Sequence, residues 1–240
     1  MIGPKGMMYN GYDLSPWLDA NPSRPILPPV EVEADKVPGR DGTRFRSAKL
    51  GELEIPVAVR LKATSKDDIA ELRHKLAAML RPDSPAPLVL GDDPTRYHMA
   101  VLDGSSDLDA LWHTGRAELK FRACDPVAYG RKSVVAMAAS ATASVGGTAP
   151  TAPVITARPS SGSGYRITLA ETGEYVQVDA PFTGSQTLMI DCGKQHCTIS
   201  GASADASVAL ASDYFELSPG LNRLVASSGT ATVEWEERWL

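Results

Sequence analysis

A short polar stretch, CGKQHC at 192–197, carries the residue types that bind metal ions: Cys192, His196 and Cys197. A structural zinc site needs four such ligands, and a catalytic site needs three together with a water molecule. The gap between the two cysteines is longer than in a tight zinc knuckle, and no second Cys/His pair lies nearby in the sequence. We therefore predict a hairpin with Gly193 and Lys194 at its tip, with reduced thiols and no metal or cofactor. A disulfide across this hairpin is the alternative, because the ends of a short hairpin can lie within bonding distance.

Two pairs of carboxylates could serve as cation ligands or as acid and base. Asp92 and Asp93 precede Pro94, which favours a turn over a cation site. Glu234 and Glu236 share one strand face about 7 Å apart, a spacing that a glycosidase could use. A solvated outer strand face is the simpler interpretation. Since the sequence shows no Ser/His/Asp or Cys/His set and no phosphate-binding glycine loop, we predict that the protein is not an enzyme.

Aromatic and basic residues suggest binding functions instead. Sugar-binding sandwiches use exposed aromatic rings, and the candidates for such a platform are Tyr165, Tyr175, Tyr214 and Trp235. A core position fits most of these residues better, Trp235 above all. This makes a carbohydrate-binding module in 153–240 the alternative function. A second set, rich in basic residues, is predicted to contact partner subunits, with a solvated strand face as the alternative: Arg40, Asp41, Arg44, Arg46, Arg60 and Lys62.

The overall charge limits the partners. A net charge of -5 over 240 residues is not the basic composition that nonspecific binding of nucleic acid requires, and it argues against docking on anionic lipid. The sequence has no apolar run long enough to span a membrane and no secretory signal, so we expect a protein made in a cytosol.

The elements that must position these residues are mostly strands. Alternating apolar and polar residues predict half-buried strands at 30–36, 53–63 and 116–123, with Pro56 indicating an edge or a bulge, and the proline-rich segment 22–29 indicating an extended arm or edge. Apolar residues at helical spacing predict one amphipathic helix at 66–80, capped by Ser65 and ended by Pro82. Two further strands are predicted at 87–90 and 96–102, followed by a polar loop at 105–115.

Composition divides the chain in two. The segment 136–152 is rich in Ala, Ser and Gly and lacks charge, which predicts a linker between a domain at 1–135 and a domain at 153–240. The second domain is predicted to be a β-sandwich or jelly roll. Its strands are expected at 153–158, 164–170, 174–179, 186–192, 196–200, 207–211, 213–217, 221–227 and 230–239.

Turn-forming residues occur in both halves of the chain. Asp125 and Pro126 begin the turn DPVAYG at 125–130, and LSPGLN at 217–222 contains Pro219, Gly220 and Asn222. In the second turn Pro219 fixes φ, Gly220 permits a positive φ, and the Asn222 side chain can bond a neighbouring backbone group. We expect this turn to direct the chain into a final strand, 230–239, that pairs inside the sandwich.

The order of these motifs resembles the siphophage distal tail (Dit) family. The resemblance rests on the strand leading into GRDG at 39–42, the amphipathic helix, LVLGDD with RYHMAVL, and FRACDPVAYG at 121–130. In the second half it rests on TGEYVQVDAPFTGSQTLMIDCGKQHCTI and on FELSPGLNRLV followed by a closing strand.

This resemblance implies a virion structural protein. It implies a mainly β fold with one α-helix: an N-terminal, β-sandwich-like belt domain that forms a hexameric ring, and a C-terminal galectin-like sandwich that points outward. The partners it implies are further copies of the chain, the tail tube protein and the tail-tip hub proteins. Tape measure and receptor-binding proteins are additional candidates, and DNA would only pass through the lumen. The implied location is the tail tip, after assembly in the bacterial host cytoplasm.

Overall fold

The computed structural model describes residues 2–62, 66–81, 83–103 and 114–240. The chain divides into two compact units, Met1–Ala128 with Leu240, and Tyr129–Trp239. The predicted cap Ser65, the predicted stop Pro82 and most of the predicted loop at 105–115 lie outside the described residues. None of the described helices is long and apolar enough to cross a membrane.

The described residues of the first unit form nine strands and the α-helix α1, Lys66–Leu80. Seven strands form one antiparallel sheet in the order β2-β1-β7-β8-β9-β6-β3, and its two end regions approach each other, since the Ala20 N–H donates to the Lys5 carbonyl at 2.9 Å. The strands are β1 (Met7–Tyr9), β2 (Tyr12–Asp13), β3 (Leu18–Pro22), β4 (Val30–Lys36), β5 (Thr43–Leu50), β6 (Leu53–Leu61), β7 (Ala86–Leu90), β8 (Asp93–Leu102) and β9 (Arg116–Ala123).

The core of this unit follows the two periodicities in the sequence. Alternate residues of β6 and β9 are buried, and the rings of Tyr9 and Phe121 meet edge to face with centroids 4.9 Å apart. Leu72, Leu76 and Leu80 fall on one helix face and are buried in the same core. The prediction of an amphipathic helix at 66–80 is therefore confirmed.

Pro56 does not mark an edge strand, because β6 pairs with both β3 and β9. It lies just beyond the point where β3 ends at Pro22, and its carbonyl accepts a hydrogen bond from Ser23 N–H at 2.9 Å. The open edge is instead β3, which among the described strands pairs only with β6 and ends in the proline-rich segment. A proline is tolerated in β6 because the neighbouring ladder stops there.

The second unit is a sandwich of two antiparallel sheets around one core. The sheets have the orders β17-β16-β15-β12-β19-β10 and β11-β18-β13-β14, and the closing strand β19 lies between β12 and β10. The strands are β10 (Ala128–Met137), β11 (Ser140–Val145), β12 (Val154–Arg158), β13 (Tyr165–Leu169), β14 (Tyr175–Val178), β15 (Leu188–Asp191), β16 (His196–Ile199), β17 (Ala202–Ser203), β18 (Gly220–Ala226) and β19 (Thr230–Trp239). The mainly β fold class is thus confirmed.

The segment 136–152 is not a linker in the structure. Its residues end β10 and form β11, which pairs along its whole length with β18 and buries Ala143 and Val145. Gly147 adopts φ +98°, and a Cβ there would lie 2.3 Å from the Arg238 carbonyl oxygen, so small residues allow a close backbone approach. Low side-chain volume therefore marks tight packing here. A division into a ring-forming domain and an outer domain remains a prediction.

Two strands predicted in the second half are absent. The region 207–211 follows a short 3₁₀ turn, Asp205–Ser207, and contributes a single bridge from Val208 to Val178. Within 213–217, Phe215 and Leu217 are buried, but only Leu217 bridges to another segment, at Thr151. The alternating burial in this region comes from side chains that pack into the core of the sandwich, although the backbone that carries them joins neither sheet.

Candidate assembly surface

One hairpin of the first unit stands apart from the rest of its fold. Within the part of the chain that the structure describes, strands β4 and β5 pair only with each other, as a separate two-stranded sheet. Every residue of both strands is exposed except Ser47, which is half-buried. An isolated two-stranded hairpin gains little stability in water, so we expect another surface to cover this one.

The hairpin is amphipathic, because its register places apolar residues opposite apolar ones. On the polar face, Glu33 accepts a hydrogen bond from Ser47 Oγ at 3.0 Å. A bulge follows Glu33, and Arg46 Nε lies 2.6 Å from Asp35 Oδ2. Its other cross-strand pairs on the polar face are oppositely charged: Glu31 with Lys49, and Asp35 with Arg44. The cross-strand pairs of the apolar face are Val30 with Leu50, Val32 with Ala48, and Ala34 with Phe45.

The apolar face of this hairpin is exposed. Phe45 is 64% exposed and Val32 is 61% exposed. The prediction that 30–36 is half-buried is therefore wrong within the single chain: the alternation is present, but no element of the described chain covers it. A contiguous exposed apolar face of this kind marks an interaction site, and the unpaired outer edges of β4 and β5 offer backbone groups as well.

The structure brings together four of the residues predicted to contact partners. Arg40 and Asp41 lie in the hairpin turn, and Arg44 and Arg46 lie on β5. Arg60 lies on β6, which belongs to a different sheet from this hairpin, and Lys62 follows that strand.

Lys62 is engaged within its own unit. Its Nζ lies 3.0 Å from Asp19 Oδ1 and donates to the Ser15 carbonyl at 2.8 Å. Sequence reasoning grouped it with the hairpin residues because basic residues recur along 44–62, but sheet pairing separates them. The sequence did not show that the exposed apolar face of the hairpin, more than its charged residues, is the surface that the described chain leaves uncovered.

The CGKQHC stretch forms the end of β15, a turn, and the start of β16, with Ile190 opposite Cys197. His196 Nδ1 lies 2.8 Å from Asp205 Oδ2, and Asp205 Oδ1 accepts from the Cys197 N–H at 2.7 Å. That backbone donor, with His196 and Ser203, holds the pKa of Asp205 below its ordinary value.

Both cysteines of this stretch are free and buried. Burial raises the pKa of Cys192 to about 12 and that of Cys197 to about 11, so neither thiol ionises readily near neutral pH. Among the residues that the structure describes, no group of three or more His, Cys, Asp or Glu side chains is placed to hold a metal ion.

Asp92 and Asp93 face arginines. Asp92 pairs with Arg24, and Asp93 Oδ2 lies 2.7 Å from Arg96 Nη1. Burial would raise the pKa of Asp93, but hydrogen bonds from Arg96 and Thr95 outweigh it and lower that pKa. These contacts use the carboxylates that a cation would need.

The three tyrosines do not form a shared stacking platform. Tyr165 is only 1% exposed, and burial raises its pKa to about 12, so it occupies the core position and not the sugar-binding one. The Tyr175 ring is half-buried under the Arg166 guanidinium, 4.1 Å from its centroid, and Tyr214 packs against the sandwich core. The cause is position: Tyr165 is an inward residue of β13, a phase that the surrounding Gly/Ser residues obscure.

The LSPGLN turn shows the local bonds that its sequence predicts. Gly220 has φ +110°, and the buried Asn222 side chain accepts from Ser218 N–H at 3.0 Å and donates to the Ser218 carbonyl at 2.7 Å. In the earlier turn, which Pro126 continues, Asp125 Oδ1 accepts from Val127 N–H at 3.4 Å. The Asn222 contacts fix the entry into β18, so this turn acts in folding.

Comparisons with known proteins agree over both units. A family model described as a siphovirus-type tail component, C-terminal domain, matches residues 146–239, and one described as a phage tail protein RIFT-related domain matches residues 13–123. The distal tail protein of Bacillus phage SPP1 is 24% identical over 241 residues, covering 98% of this chain and 95% of that protein.

Solved structures show the same fold. The crystal structure of the SPP1 Dit protein, described as a paradigm of the hub adsorption apparatus in phages that infect Gram-positive hosts, superposes with a TM-score of 0.83 at 20% identity, covering 98% of this chain and 99% of that one. The phage P2 baseplate in its activated conformation with calcium contains a chain with a TM-score of 0.54 at 10% identity, covering 94% and 92% of the two chains.

Proposed function

Because this chain belongs to the siphophage distal tail protein family and is a structural component of a phage tail, we propose that it forms a hexameric ring joining the tail tube to the tail-tip hub. Its proposed role is structural and involves no catalysis. Copies of the first unit build the ring, and the second unit is presented outward.

The observation that carries this proposal is the uncovered β4–β5 hairpin. Its apolar face has no partner in the described chain, and covering it would remove Phe45 and Val32 from water. Cyclic assemblies use heterologous contacts, in which one surface of a copy meets a different surface of the next. A projecting hairpin that reaches the adjacent copy suits such a contact.

The proposed partners follow from the position in the tail. The ring would contact the tail tube protein on one side and hub proteins on the other, with tape measure and receptor-binding proteins as further partners. DNA would pass only through the lumen. The proposed location is the tail tip of the virion, reached after assembly in the host cytoplasm.

Immunogold labelling of intact virions tests the location. Antibodies against the full chain are expected to label the tail tip in electron micrographs, one site per particle. Label distributed along the tube, or on the capsid, would contradict the proposal. Labelling of tubes detached from their tips serves as the control for access.

A further inference from the structure

The second unit contains an open cleft of about 750 Å³ that the assembly function does not use. Its volume lies in the range of ligand-binding clefts. The lining comes from β10, β19, the segment entering β12 and two loop positions, and it includes Lys132, Val134, Glu216, Glu234, Trp235 and Arg238.

The charged residues of this cleft fall into two groups, and Glu236 belongs with Arg238 to the group that interacts with other parts of the chain. Arg238 is held, since its Nη1 donates to the Pro150 carbonyl at 3.1 Å and its guanidinium lies 5.8 Å from the Tyr129 ring centroid. By contrast, the side chains of Glu216, Glu234 and Lys132 form no hydrogen bond or ion pair within the described part of the chain. Two unpaired carboxylates and one unpaired ammonium group therefore converge on one cleft.

The rest of the lining can bury apolar atoms. Val134 is 62% exposed, and Val154 and Ala152 are half-buried. Trp235 also lines the cleft and is 6% exposed, and its indole N–H finds no acceptor among the described residues.

We propose that this cleft binds a basic segment of another tail protein, with a Lys or Arg side chain seated between Glu216 and Glu234 and its aliphatic stem against Val134. The free carboxylates outnumber the free cation, so charge complementarity favours a cationic occupant. Long basic side chains combine an apolar stem with a charged end, which fits an apolar lining edged by carboxylates. Lys132 remains available for a backbone carbonyl or an acidic residue next to the inserted cation.

The test uses the full chain and a short synthetic peptide. An arginine–glycine peptide with an uncharged fluorophore is titrated with the protein and followed by fluorescence polarisation. The control peptides replace arginine with its neutral isostere citrulline, or with glutamate. We expect the arginine peptide to bind and the two control peptides to bind at least about 10-fold more weakly, since charge-assisted hydrogen bonds are lost.

Variants place the binding in this cleft. E216Q and E234Q keep the side-chain shape and should each weaken the arginine peptide about 10-fold, whereas K132Q should strengthen it. Asp213→Asn is the matched control, because Asp213 is exposed and does not line the cleft. This variant removes one negative charge elsewhere and should leave binding unchanged.

Two results would overturn the proposal: no binding of the arginine peptide, whether or not neutral oligosaccharides bind in its place, or equal losses in D213N and E234Q. The first result leaves ring formation untouched, since that proposal depends on the hairpin of the first unit. The mass of the E234Q assembly, measured alongside, should equal that of the wild type.

Discussion

Replacing Phe45 with threonine tests whether the hairpin's apolar face is an interface. Threonine keeps a high strand propensity, so the hairpin itself should persist. Phe45 is 64% exposed in the chain. A phenylalanine presents roughly 200 Å², so covering this residue in an assembly removes about 130 Å² from water. At about 25 cal/mol per Å², that burial contributes about 3 kcal/mol to each interface.

The expected result is a selective loss of association. Sedimentation velocity over a concentration series should show self-association weakened by about 100-fold per interface in F45T. The free energy of unfolding of the dissociated chain should change by less than about 0.5 kcal/mol, because an exposed residue is replaced. Leu210, which is 105% exposed in the second unit, supplies the matched control L210T, and its assembly should equal that of the wild type. Equal association of F45T and wild type would refute the reasoning, as would an unfolding free energy lowered as much as association.

Three further predictions concern stability. Gly147→Ala should lower the free energy of unfolding by at least about 2 kcal/mol, because φ is +98° and the new Cβ would lie 2.3 Å from a carbonyl oxygen; Gly173→Ala, at φ +79° with open space around it, should cost only about 1 kcal/mol in the same urea titration. Asn222→Ala should cost about 2 kcal/mol in urea unfolding, since it leaves both backbone groups of Ser218 without their side-chain partner; no loss would show that water replaces these bonds. Burial lowers the pKa of His98 from 6.5 to about 4, so between these pH values the unfolded chain binds a proton that the folded chain excludes. The free energy of unfolding should therefore fall by about 3 kcal/mol as pH drops from 6.5 to 4. His98→Gln should reduce the slope of the unfolding free energy against pH by about one proton, and an unchanged slope would contradict this assignment.

Local periodicity predicted much of the fold. Helix α1 matches its predicted bounds because the apolar residues of 69–80 recur at spacings of three as well as four, from Ile69 to Leu72 and from Leu76 to Met79, and a helix, unlike a strand, places such residues on one face. Strand β9 also matches its predicted bounds, because its apolar and polar residues alternate with the period of two that is typical of a strand. Where side chains are small, the signal fails: Ala143 is buried in β11, but composition alone resembles a linker. Such a position is defined by the backbone of β18 beside it, which is distant in sequence.

The candidate surfaces were less predictable. Alternation at Val30 and Val32 correctly indicates a strand, but it does not say whether the apolar face is covered by the same chain or by another. The cleft of the second unit combines Lys132 with Glu216 and Glu234, residues that tertiary structure alone brings together. For Tyr165 the sequence left a platform and a core position open, and strand phase places the ring in the core.

The mass of the purified full-length chain, measured by native mass spectrometry over a concentration series, tests the central proposal most directly. We predict a closed assembly of six copies, or a pair of such rings, that grows at the expense of the monomer as concentration rises. A chain that remains monomeric throughout the series would contradict the proposal that its uncovered hairpin drives ring formation.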